Sequence, residues 1–560
     1  MINVAGVWVM LAAVLLGWGL AAIWLLRRLG GGSFRGMLSG FQTIWLGYAA
    51  LLAFIQLASV AAPVNRGVLA LSLLPAVAGF IACRRAVADK VRGLLQEPRR
   101  IAVVCVLVIG AAIVVDYAAC DHVELYDTGL YHLQAVKWTA RYGVVTGLAN
   151  LHTRFGYNNS IHVFAAYVDA YWEGVAVHLT SGLIVLIALA QWFTEIFLAR
   201  SPRQRVRQLF CLLTLPVLLT RLWTQEPASL SSDFPEAVFA AVLVLEVLTL
   251  YAPSREHSLL AISAVLSIGA VAFTTKLVGL SAFCVIGAVA LWRMRSGVTW
   301  RARCSVALVP CALVLGWLVR GVIESGWLLY PVAGRLPVSW AVPAKLAADD
   351  LGNIQSWSRI WGQPPSEVFG HGVWHWLGPW LSRFRESHEF MLLVVALALL
   401  AWRVAFGPTR SGARRFGEWA AIAVCGLGIA QWFAGAPDLR YGGFWFWLLP
   451  AALLAPLLAP AMRDALLRRF VVVIALAVCV WSGAFEFRVN AVVPKLWGRP
   501  VAPRHVWTTL VTLPNGLEVN APDNGDQCFA EALPCTPMGG NAKARVPGDL
   551  GAGFLPSSAD

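Results

Sequence analysis

The chain reads as an all-α integral membrane protein of about fourteen transmembrane helices, and three observations predict it. Hydrophobic residues make up 59% of its 560 residues and charged ones only 13%, about half the charge of an ordinary soluble domain. The apolar residues arrive in runs of about 17–25, the length that crosses a bilayer core as helix. More than half of the 44 Lys and Arg fall in short turns between those runs, at 27–35, 84–100, 200–207, 293–303, 403–415 and 463–469. That is the pattern of cytoplasmic loops under the positive-inside rule. A soluble enzyme, a disordered chain and a small disulfide scaffold are excluded. The net charge of +14 is a topology signal, because no basic stripe interleaved with aromatics remains for nucleic acid.

Taken in order, the spans lie near 4–26, 38–61, 67–83, 101–119, 174–199, 208–223, 237–252, 258–275, 277–292, 304–320, 389–406, 418–434, 444–461 and 470–486. The first run lacks a basic start and a small-residue cleavage site, so it reads as a retained helix whose N-terminus faces outward. Every basic turn then falls on the cytoplasmic side. The chain divides into transmembrane helices over 1–119, 174–320 and 389–486, separated by outer segments at 120–173 and 321–388 and followed by an outer tail at 487–560. Most non-membrane mass lies on that outer face, where function is expected.

Two of the 11 cysteines, Cys528 and Cys535, stand in the polar tail as CFAEALPC, and on an oxidising face they read as a local disulfide. The others lie mostly in apolar runs, as small buried hydrophobes. The outer segment after the fourth span holds Asp121, Glu124 and Asp127, then a helical pattern to Tyr142. Asp127 stands where an N-cap belongs. Tyr131, Ala135, Trp138 and Tyr142 share one face and Gln134, Lys137 and Arg141 the other, as in a helix lying in the membrane interface. A carboxylate there sits at headgroup depth, where a lipid-linked substrate reacts. His122, His132 and His152 match no zinc spacing. Asp233 and Glu236 read as N-terminal caps of the seventh span, and Trp374, Trp376 and Trp380 as an aromatic belt.

An acidic residue soon after an outward-going span, followed by an interfacial helix bearing Tyr131, resembles the GT-C superfamily, the multi-spanning glycosyltransferases that use polyprenyl-phosphate sugars. The family has Asp-Glu where this chain has Asp127-Thr128. Three other stretches are similar to it: AFTTK ending at Lys276, GWLLYP at 326–331, and Arg440-Tyr441 with Pro450 in the next span. The resemblance implies a GT-C-like core and an enzyme in the bacterial cytoplasmic membrane whose active site opens outward. Its donor would be a polyprenyl-phosphate-linked sugar held among membrane lipids, and its acceptor a glycan or lipid. It further implies Asp127 as general base, with Glu124 and Asp121 as alternates. Arg440 and Lys276 would hold the phosphate, and Tyr131 and Tyr441 would complete the substrate-binding set. A divalent cation is the one cofactor left open, with Glu124 and Asp121 as its ligands. A polytopic transporter or flippase and a non-catalytic envelope-assembly protein are the competing readings. The first calls for internal repeats, which are not evident; the second needs no interfacial carboxylate.

Overall fold

A computed structural model describes residues 2–31, 34, 37–198, 204–248, 250, 255–406, 412–462, 500–513, 515–537 and 542–557. The protein is mostly helical, and among the described residues eleven helices are long and apolar enough to cross a membrane. Each of the first thirteen apolar runs contains a helix; the fourteenth, at 470–486, lies outside the described residues. Turn chemistry sets several boundaries. Ser39 and Gln42 form a reciprocal capping box at the start of Gly40–Ala61, and the Thr299 hydroxyl caps Trp300–Ser325 by accepting from Ala302 N–H. Gly326 ends the latter helix at φ 75°, a left-handed conformation that glycine adopts without steric cost.

Small residues let the first helices touch backbone to backbone. A Cβ placed on Gly47 would stand 1.8 Å from the Leu15 carbonyl oxygen, and one on Gly19 would stand 1.8 Å from that of Thr43. Membrane helices associate this way because lipid supplies no hydrophobic drive between them. At the centre of the bundle lies the Asp233–Leu248 helix, all 16 of whose residues are buried. It begins at Asp233, ahead of the apolar run, so its first turn carries Asp233 and Glu236.

Among the described residues, parts of the basic turns meet at one end of the bundle. There Arg205 donates to the Met462 carbonyl and Arg293 to that of Leu250. The segments at 120–173 and 321–388 and the tail from residue 500 gather at the other, where Val501 N–H donates to the Cys120 carbonyl. The membrane-length elements are helical, as expected, and among the described residues the segments at this other end add three two-stranded antiparallel sheets, Trp327–Leu329 with Ala333–Arg335, Thr508–Thr512 with Glu518–Pro522, and Ala542–Ala544 with Phe554–Pro556. Open-edged sheet is tolerated where backbone meets water or protein rather than hydrocarbon.

One correction concerns the helix expected to lie flat on lipid. Its aromatic face is covered by the tail: Tyr131 and Trp138 are buried in one cluster with Leu517, Val519 and Phe554. Its opposite face is taken as well. Gln134 donates to the Phe529 and Glu531 carbonyls, and Lys137 to those of Ala530 and Glu531. The helical periodicity was real, but protein rather than membrane covers both faces. Cys528 and Cys535 are joined by a disulfide in this tail.

Candidate functional site

Helix begins at Tyr126, so Asp127 lies inside the first turn, with φ −63° and ψ −26° and no side-chain cap hydrogen bond. This corrects the N-cap reading, which requires a residue outside the helix. Thr128–His132 then widens into a π-turn before Leu133–Tyr142 continues as α-helix; such widenings recur at functional sites. The Asp127 carboxylate, released from capping, points at two guanidinium groups. Arg154 donates to one oxygen at 3.0 Å and Arg440 to the other at 2.5 Å.

Arg440 bridges onward, its Nε donating to Asp233 at 2.6 Å, and the other Asp233 oxygen accepts from Lys276. The structure thus strings Asp127, Arg440, Asp233 and Lys276 into one chain of ion pairs. Their elements converge for local reasons. Lys276 follows the last turn of the Arg255–Thr275 helix, and Asp233 opens the central helix. Arg440 sits in the short Leu439–Gly442 turn, whose start is capped by Asp438 accepting from Arg440 N–H. The Lys276 ammonium lies 4.2 Å from the centre of the Tyr441 ring, and the Arg154 guanidinium 5.8 Å from that of Tyr131, both within cation–π range.

In this bridge three cations face two carboxylates. Asp233 is almost wholly buried, whereas the Arg440 side chain is 40% exposed, so the cationic side opens outward. Glu236, one turn further in, is fully buried, and neither of its oxygens has a hydrogen-bond partner among the described residues. Three buried histidines flank Tyr131. Burial first, then His162 and the cations Arg440, Arg154 and Lys276, drive the His132 imidazole well below its usual range. Burial and Arg154 take His152 down to about 3. Burial, with Arg320 adding and the Leu230 carbonyl opposing, takes His162 down to about 4. Beside Leu439 a cleft opens between Ser358, Trp380, Arg383, Phe384 and the 437–439 turn.

Glu124 does not join the cluster; its carboxylate accepts from Gln225 at 2.8 Å. Asp121 accepts from the backbone of His122. With Asp127 occupied by two arginines, these donors do not assemble a cation site, and no group of three or more candidate metal ligands occurs among the described residues. Asp233 and Glu236 are also corrected. Asp233 spends its carboxylate on Lys276 and Arg440, while the Ser231 hydroxyl and the Ser232 carbonyl serve the first backbone N–H groups. Trp380 is buried and donates to the Pro437 carbonyl, whereas Trp374 is exposed.

Sequence reasoning missed Arg154, Asp233 and Asp350. Asp350 accepts from Tyr157 at 2.8 Å, which connects the second outer segment to the turn bearing Arg154. The one available signal was Asp233, an acid opening an otherwise apolar span. A family model described as a domain of unknown function (DUF8201) matches residues 1–447, and the chain belongs to that family. No curated protein and no solved structure matches the chain.

Proposed function

We propose that this protein is a membrane glycosyltransferase that moves a sugar from a polyprenyl-phosphate donor to a glycan or lipid acceptor at the extracytoplasmic face. The observation that carries the reading is the convergence of Arg440 and Lys276 on Asp233, with Asp127 joined to them through Arg440, from distant segments of the chain. Arg440, partly exposed, faces out of that cluster, and a lipid-linked phosphate would take it in place of one Asp127 oxygen. An Arg fork matches phosphate geometry, and Lys276 adds a point charge. The Trp380–Phe384 cleft beside Leu439 offers an apolar wall for a prenyl chain next to that charge. The basic turns at the opposite end support an outward-facing site.

The chemistry follows from the bridge. A phosphate that takes Arg440 frees one oxygen of Asp127, which then accepts the hydrogen bond of an acceptor hydroxyl. As the acceptor oxygen bonds to the anomeric carbon, the bond from that carbon to the phosphate oxygen breaks and its electron pair leaves with the phosphate. Asp127 takes the hydroxyl proton, and Arg440 and Lys276 meet the charge that grows on the leaving group. The test is transfer by purified protein in lipid nanodiscs, using a panel of radiolabelled polyprenyl-phosphate sugars and membrane-extracted glycan and lipid acceptors. Asp127→Asn should lower the rate about 10²–10⁴-fold. Transfer at the wild-type rate by that variant removes Asp127 as base, and absence of transfer by the wild type across the panel rejects the reading.

A further inference from the structure

The turn bearing Asp127 is held by the tail, some 400 residues away in the chain. The Tyr126 carbonyl accepts from Gln527 Nε2 at 2.9 Å, and the Gly129 carbonyl accepts from Phe529 N–H at 2.8 Å. The Tyr126 hydroxyl donates to Asp526. One turn on, Gln134 reaches the Phe529 carbonyl at 3.1 Å and the Glu531 carbonyl at 3.0 Å, and Lys137 reaches those of Ala530 and Glu531 at 2.7 Å each. The seat closes tightly: a Cβ on Gly129 would lie 2.8 Å from both Gln527 Nε2 and the Phe529 ring. The tail's half of the contact is itself constrained. Residues 528–535 form a disulfide-closed loop, pinned at its far end where Asn520 N–H donates to the Pro534 carbonyl at 2.9 Å. Within it Phe529 is buried and held at φ 43°, a left-handed conformation unusual for a bulky residue and kept only where its surroundings impose it.

We infer that the disulfide-closed loop of the tail is the positioning element of the site, with Gln527 and Phe529 as the residues that fix the turn carrying Asp127. The cations that would hold the phosphate stand on other elements, at Lys276, Arg154 and Arg440, whereas Asp127, the proposed base, rides on the turn that the tail holds, with Tyr131 following it. The inference deepens the proposed transferase, since it names what aims the base, but the contact is testable without that activity. Hydrogen exchange on the full-length protein in nanodiscs should separate the two.

In Cys528→Ser/Cys535→Ser, amides at 126–134 should exchange about tenfold faster while peptides at 185–196 and 238–246 keep their wild-type protection. Because that variant risks general misfolding, Gln134→Ala and Gln527→Ala, which leave the disulfide intact, should show the same local change to a smaller degree. Wild-type exchange at 126–134 in all three variants overturns the inference, as does an increase spread evenly over the protein in the two side-chain variants. Where transfer is measurable, Gln527→Ala should lower kcat several-fold and leave the donor KM within about twofold, since Arg440 and Lys276 are untouched. A changed KM with unchanged kcat contradicts positioning of the base. If the wild type transfers no sugar, the transferase reading fails while the exchange result still decides the role of the tail.

Discussion

The two ends of the central Asp233–Leu248 helix are built from the same side-chain types and finished differently. At the basic end, Glu246 accepts from Arg207 at 2.7 and 3.0 Å, from Gln42 at 2.7 Å and from Gln191 at 3.0 Å. Arg207 also reaches Glu195 at 2.8 Å, and Trp45 donates to Gln191 at 2.7 Å. That carboxylate has the partners its lone pairs can use. At the other end, about 20 Å along the axis, Asp233 pairs with Lys276 and shares Arg440 with Asp127, the Arg440 head is partly in the open, and Glu236 nearby has no hydrogen-bond partner among the described residues. The closed network ties helices together. The open one keeps a partly exposed arginine and a buried carboxyl without a hydrogen-bond partner among the described residues, a poor way to hold a fold and a workable way to receive an anion.

Acid should break the comparison most strongly. His132, His152 and His162 are all kept neutral by burial at the open end. An unfolded chain takes up protons on them below about pH 6.5 while the folded one does not, so stability falls as pH drops below that value. With the three acting together the loss approaches roughly 4 kcal/mol per pH unit once the pH is about one unit below that value. Exchange measured between pH 7 and pH 5 should therefore show residues 130–165 opening before 238–246; simultaneous opening would contradict it.

Next in size, Arg207→Ala leaves Glu246 buried without its cation and should cost about 3–5 kcal/mol of stability. Its thermal midpoint should fall clearly, while phosphate affinity of the folded protein is unchanged. Lys276→Ala is its counterpart at the open end. Losing one charge-assisted contact should weaken polyprenyl phosphate binding about 10–100-fold, with a smaller change in midpoint than Arg207→Ala. If the two variants exchange phenotypes, the two ends have been assigned the wrong way round. Smallest is Glu236→Leu. Replacing a buried, unpartnered carboxyl by an apolar side chain should raise stability by about 1 kcal/mol, read as a midpoint a few degrees higher; a lowered midpoint would mean that Glu236 has a structural partner.

Much of the fold was legible because its signal is local. Apolar runs the length of a bilayer, separated by arginine-rich turns, state helix without reference to any distant residue. Asp127, Lys276 and Arg440 came from motif resemblance, which records residue type and order but not distance. What escaped was long-range. Asp233 looked like a helix cap because an acid in a first turn is adequately explained by backbone N–H groups and the helix dipole. Its partners lie 43 and 207 residues away. Arg154 stands in an irregular, turn-rich stretch with no periodicity to aim it. The amphipathic pattern of 131–142 was read correctly as a two-faced helix and wrongly as lipid-facing, since a covering tail some 400 residues on leaves no trace in that pattern.

The central claim is that the open end is an anion site for a lipid-linked phosphate. Its most direct test is saturable binding of polyprenyl phosphate to the purified protein in nanodiscs, compared between wild type and Arg440→Ala. Saturable binding by the wild type, weakened about 10–100-fold in the variant and competed by high salt, is the predicted result. Equal affinity in the two proteins, or no saturable binding by the wild type, would contradict it.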